Sequence, residues 1–189
     1  MSDLRTISRS MIALVGLMLW VGDVQAFAQQ ETAEEKQERI YREDYDQYQK
    51  IAALPDLVKR ADLLLAFAKD RPNSKMMQYV QDNTLRVLDA LLKQENNAAV
   101  LSISDRFIKL RPKTGETYYF YAAALKNTSK FPEAMDALAK CYVLKNPLSA
   151  RAKDALDRMY ATRNPKADAV GTAAGVQRLI KKAQEDVGK

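Results

Sequence analysis

The chain has no histidine, a single cysteine, one tryptophan, six glycines and six prolines among its 189 residues. Without histidine, the commonest acid–base catalyst and the commonest zinc ligand are both missing. Ser–His and Cys–His nucleophilic arrangements go with it. The lone Cys141 cannot form an internal disulfide. On a helical face it reads as a small buried apolar residue, with a reactive or intermolecular thiol as the other reading. The scarcity of glycine and proline argues against a low-complexity tail, and the helix formers that dominate the rest argue for an all-α protein. No glycine-rich phosphate loop is present, because Gly171 and Gly175 follow no strand pattern. Carboxylates are plentiful but scattered over helix surfaces. Asp154 and Asp157, flanked by Lys153 and Arg158, read as a solvated salt-bridge face. Glu116 and Glu133 sit at helix starts, where a carboxylate favours the helix dipole. No catalytic constellation emerges, and no metal or cofactor is called for. Composition still permits a single-glutamate hydrolase built on helices.

Long apolar runs are scarce as well. Met11 to Val21 is an apolar stretch of eleven residues, short of the ~20 that a membrane span needs. Arg5 and Arg9 precede it, and small residues follow as Val24-Gln25-Ala26 and Ala26-Phe27-Ala28. Residues 1–28 therefore read as a signal peptide, cleaved after Ala26 or Ala28. An uncleaved anchor, helped by Trp20 and opposed by Asp23, is the alternative. The expected location is exported, in a bacterial periplasm or outside the cell.

With 47% apolar residues the remainder suits one domain with a modest core. Residues 29–54 read as an N-terminal charged helix. Ile40, Tyr41, Tyr45, Tyr48 and Ile51 or Ala52 share one face, a tyrosine seam expected to pack on the next helix. The stretch before it, ETAEEKQER, has little to bury and is expected to fray. Pro55 suits a first helical turn. Leu57, Ala61, Leu64, Leu65 and Ala68 form an apolar stripe ending at Arg71-Pro72. Asn73 or Ser74 is the expected cap of the following helix, with Met77, Val80, Thr84, Val87, Leu88 and Leu91 inward. After a turn at Asn96-Asn97, Val100, Ile103, Ser104, Phe107 and Leu110 lead to Arg111-Pro112. Beyond Pro165, residues 166–189 read as a linker and a C-terminal capping helix. Thr172 is its expected cap, and Val176, Leu179, Ile180 and Ala183 face inward.

The stretch from Gly115 to Leu148 is the most regular. Tyr118, Tyr121, Ala122 and Leu125 make one stripe of period 3.6, and Ala134, Leu138, Cys141 and Tyr142 make a second. Asn127 to Lys130 is the polar turn between them, and Pro132 suits the next first turn. Tyr118 at the large position, Ala122 at the small one, Phe-Pro-Glu-Ala opening the second helix and the closing Pro147 resemble a tetratricopeptide repeat. Pro72, Pro112 and Pro147 recur at 40 and 35 residues, the spacing of stacked helical hairpins. A shift of 34 from Tyr118 reaches Ala152, Ala155, Leu156 and Met159, a further inward stripe. Residues 55–165 are the expected repeat domain. The resemblance implies antiparallel hairpins stacked into a short right-handed superhelix.

In that family the first helix of each pair lines a concave groove. Carried onto this sequence, the groove positions are Tyr119, Ala123, Lys126 and Asn127. One repeat later they are Lys153, Asp157, Tyr160 and Ala161, and one earlier Leu85, Asp89 and Lys93. The resemblance thus implies a non-enzymatic protein–protein interaction module. Lys93, Tyr119, Lys126, Asn127, Lys153 and Tyr160 are the expected partner contacts. Amine and amide donors suit an acidic or carboxylate-ended peptide. Charge points the same way: residues 145–189 hold 10 basic and 5 acidic side chains. This excess reads as a solvated basic surface, or as attraction to acidic protein, membrane or cell-wall polymer. Nucleic acid is not an expected partner, since only Tyr160 is aromatic after residue 145. The alternative function is a structural or oligomerising component of an envelope complex, docked through the tyrosine seam. An envelope-polymer-binding protein or hydrolase ranks below it.

Overall fold

The computed structural model describes residues 32–188. The signal peptide expected at residues 1–28 lies outside the described residues. Among these, eight helices and no strand occur. They are α1 (Ala33–Ala52), α2 (Leu57–Asp70), α3 (Met77–Lys93), α4 (Asn97–Leu110), α5 (Gly115–Asn127), α6 (Phe131–Val143), α7 (Ser149–Arg163) and α8 (Ala169–Val187).

The chain divides into a unit ending at Ile40 and a second unit, Tyr41–Lys189. In the first, Thr32 and Glu35 cap one another: Thr32 N–H donates to Glu35 Oε2 at 2.9 Å and Glu35 N–H to Thr32 Oγ1 at 3.2 Å. This capping box starts the helix at Ala33, where fraying was expected.

In the second unit, helices pack on neighbours and next-neighbours: α2 on α3 and α4, α3 on α4 and α5, α5 on α6 and α7, and α6 on α7 and α8. Two kinds of turn recur among the connections. Glu95 and Ser129, 34 residues apart in the chain, both adopt positive φ, at 58° and 62°. After each, an amide reaches back to the helix: Asn96 N–H to Leu91 O at 3.0 Å, and Lys130 N–H to Leu125 O at 2.9 Å. Both are Schellman turns, which satisfy carbonyls orphaned at a helix end. The α3–α4 and α5–α6 hairpins therefore close in the same way.

The second kind precedes a proline. Arg71, Arg111 and Asn164 have φ of −131°, −136° and −125°, because the following Pro72, Pro112 and Pro165 disfavour the helical region. Each donates its N–H four residues back, to Phe67, Phe107 and Tyr160. The α6–α7 connection differs. Asn146 closes it, donating Nδ2 to Cys141 O at 2.6 Å and accepting from Leu148 N–H at 2.9 Å.

Burial follows the same register. Val100, Ile103, Ser104 and Phe107 are buried in α4, and 34 residues on so are Ala134, Ala137, Leu138 and Cys141 in α6. Thr84, Leu88 and Leu91 of α3 correspond to buried Tyr118, Ala122 and Leu125 of α5. Ala152 and Leu156 of α7 continue the series. Three small cores result. One joins Ile51 with α2 and the start of α3, one joins α2, α3 and α4 with Ala124 of α5, and one joins α5 to α8. Each large buried side chain contributes roughly 1.5–3 kcal/mol relative to exposure.

Several local expectations need correcting. Ser74 does not cap α3; its Oγ accepts from Met76 N–H at 3.1 Å, one residue before the helix. Thr172 lies inside α8, whose cap is Asp168, accepting from Gly171 N–H at 2.7 Å. Pro55 lies ahead of the α2 cap, Asp56, which accepts from Val58 and Lys59 N–H. Tyr142 is exposed on α6 rather than inward. Of the seam, Tyr41 and Tyr45 are exposed, while Ile51 is buried and Tyr48 half-buried against the first core.

Candidate functional site

The six expected partner contacts fall on α3, α5 and α7. Lys93, exposed in the last turn of α3, pairs with Asp89 at 2.6 Å. Such an exposed pair, one helical turn apart, contributes a few tenths of a kcal/mol, about 0.3–0.5, so the amine is easily released. Asn127 ends α5 and donates Nδ2 to Asn97 Oδ1 at 3.0 Å, joining the α5 end to the α4 start. Tyr119 is half-buried on the core of α5 to α8, its ring edge-on to Phe120 at 6.0 Å. Lys126 is exposed and lines a cavity of ≈ 290 Å³ with Phe131, Met159, Arg158 and Arg163.

The α7 residues point elsewhere. Lys153 donates to both carboxylate oxygens of Asp157 at 2.7 Å. Together they line a second cavity of ≈ 490 Å³ against Asp168, Thr172, Val176 and Gln177 of the α8 end. Tyr160 is packed on α8. Its ring lies so close to Gly175 that a Cβ there would overlap the hydroxyl and come within 2.5 Å of Cε1. Expected as a groove residue, Tyr160 is instead a packing residue, because glycine lets α8 approach it. Lys126 and Lys153 thus line different cavities.

The sequence placed Arg158 on a salt-bridge face and did not single out Arg163, yet both line the cavity beside Lys126. Arg158 and Arg163 are both exposed near the end of α7. The Arg163 guanidinium sits over the Phe131 ring, 3.4 Å from its centroid. Phe131 opens α6, whose N-cap residue Lys130 makes no side-chain cap bond. The basic excess of residues 145–189 was the only signal of this cluster in the sequence.

Cys141 is fully buried. Burial pushes its thiol up to about 11, against a lowering contribution from the Asn146 side chain. A protonated buried thiol at neutral pH is a poor nucleophile. The Lys182 amine is raised by its hydrogen bond to Asp136, 3.0 Å away. Among the described residues no group of three or more carboxylate or thiol side chains is placed to hold a metal ion.

Compared with known proteins, the chain matches no family model, no curated protein and no solved structure.

Proposed function

We propose that the chain is an exported, non-enzymatic interaction module of tetratricopeptide-like hairpins. It holds an acidic or carboxylate-ended protein segment along its first helices, α3, α5 and α7. One observation carries the reading: the turns at Glu95 and Ser129 and the buried positions of α4 and α6 share a register of 34 residues. Hairpins of that length cannot bury an apolar face alone, so they stack, and stacking leaves a continuous outer surface for partners. Lys93, Tyr119, Lys126 and Asn127 belong to that surface in this reading. Lys153 joins it by exchanging its Asp157 partner, and Tyr160 does not. Export rests on the leader-like residues 1–28.

The test is affinity capture from an envelope extract at low and moderate salt, with the natural chain and a Lys93→Ala, Asn127→Ala variant. A discrete protein partner, weakened about tenfold in the variant by lost polar contacts, supports the module. Capture of lipid or cell-wall material alone, indifferent to the variant, contradicts it.

A second reading is favoured by Tyr41, Tyr45 and Tyr79, which are 38%, 43% and 56% exposed. Exposed aromatics on α1 and α3 suit docking or self-association through α1. Light scattering over a concentration series tests the latter: a mass that stays monomeric counts against it.

A further inference from the structure

We infer that the cavity between α6 and the end of α7 is a binding site for a small organic carboxylate with an apolar body. The inference does not rest on the groove reading. Chemistry at the cavity divides cleanly. Its floor is apolar, from Phe131, Ala155 and Met159, and its rim carries Lys126, Arg158, Thr162 and Arg163. No carboxylate lines it.

The three cations are left without a countercharge: among the described residues none of them takes part in an ion pair, whereas Arg71, Lys93, Lys140 and Lys153 each hold an aspartate. Arg163 is positioned over the Phe131 ring, which orders a guanidinium without neutralising it. Three like charges gathered at one cavity repel each other, and an anion relieves that repulsion. Guanidinium groups add the planar, bidentate donor geometry that a carboxylate matches.

Size and surroundings narrow the ligand. The volume of ≈ 290 Å³ lies at the lower edge of the ~300–1,000 Å³ typical of ligand pockets. That suits a body the size of one amino acid. None of the exposed large apolar side chains among the described residues lines the cavity, so it has no apolar rim with which to enter a bilayer. A free acid and the C-terminal residue of a partner chain share the required chemistry.

The full chain, with labelled methionine methyls and backbone amides, is titrated with N-acetylphenylalanine and with the corresponding amide, followed by nuclear magnetic resonance. The acid should move the Met159 methyl and the Phe131 and Thr162 amides saturably, and the amide should bind at least about tenfold more weakly. Arg158→Gln and Arg163→Gln should each weaken the acid about tenfold, while the exposed Arg178→Gln on α8 leaves it unchanged. An unmoved signal from buried Met76 shows that each variant is folded. A tetrapeptide acid ending in phenylalanine that binds more tightly than N-acetylphenylalanine assigns the source to a chain end; equal affinity assigns it to a free acid. Equal shifts with acid and amide, or no saturable shift at Met159, overturn the inference.

Discussion

Gly175→Ala sets two opposed effects against each other, and their balance depends on Tyr160. In an ordinary helix interior the change stabilises by about 1 kcal/mol, because glycine loses more backbone freedom on folding. Gly175, however, is buried in α8 against the Tyr160 ring, and the new Cβ would overlap the hydroxyl and Cζ. Forcing extra volume into a packed contact costs about 1–3 kcal/mol. The expected net result is a loss of about 0–2 kcal/mol. Removing the ring reverses the sign: in a Tyr160→Ala background, Gly175→Ala should gain about 1 kcal/mol. The two sites are then coupled by about 1–3 kcal/mol. Urea unfolding of the four variants measures this, provided the slopes agree. If Gly175→Ala stabilised by about 1 kcal/mol in both backgrounds, Tyr160 would not be packed there, and it would return to the list of groove residues.

Other consequences can be measured in the same way. Thr117 is fully buried and its hydroxyl has no hydrogen-bond partner in the structure; Thr117→Val should stabilise by about 1 kcal/mol, seen as a higher urea midpoint at unchanged slope. Glu95→Val and Ser129→Val each place a β-branched residue at positive φ and should each lose about 1–2 kcal/mol, with the two losses alike because the turns are alike. Cys141 should resist alkylation at pH 8 until the chain unfolds, followed by mass spectrometry. Its folded thiol is raised from the ordinary 9.0 to about 11, so above pH 9 the unfolded chain releases this proton first. Stability therefore declines from pH 9 towards 11, and Cys141→Ala should flatten that decline in thermal unfolding.

The helices were legible because their signals are local. Prolines 72, 112 and 165 stop α2, α4 and α7, and the inward face of α3 was read without a miss, from Met77 to Leu91. What was missed depends on neighbours. Phe67 and Met76 are buried, one off the expected stripe of α2 and the other in the turn before α3, since the first core closes over both. The caps at Ser74 and Thr172 were misplaced because several polar residues compete at each start, and backbone geometry chooses among them. The candidate site was less legible than the fold. Spacing can assign Tyr160 to a helix face but cannot reveal that α8 covers it through Gly175. Nor can spacing bring Arg163 onto Phe131, which lies on another helix and far back in the sequence.

The central claim is that partners are held along the first helices of the hairpins. Photo-crosslinking in the producing cell tests it most directly, with a benzophenone side chain introduced singly at Ala123 on α5, at Tyr142 on α6 or at Tyr45 on α1. The account predicts a discrete protein adduct from position 123 and none from position 142. Adducts from position 142 or 45 with none from 123 would contradict it and move the interaction surface off the groove.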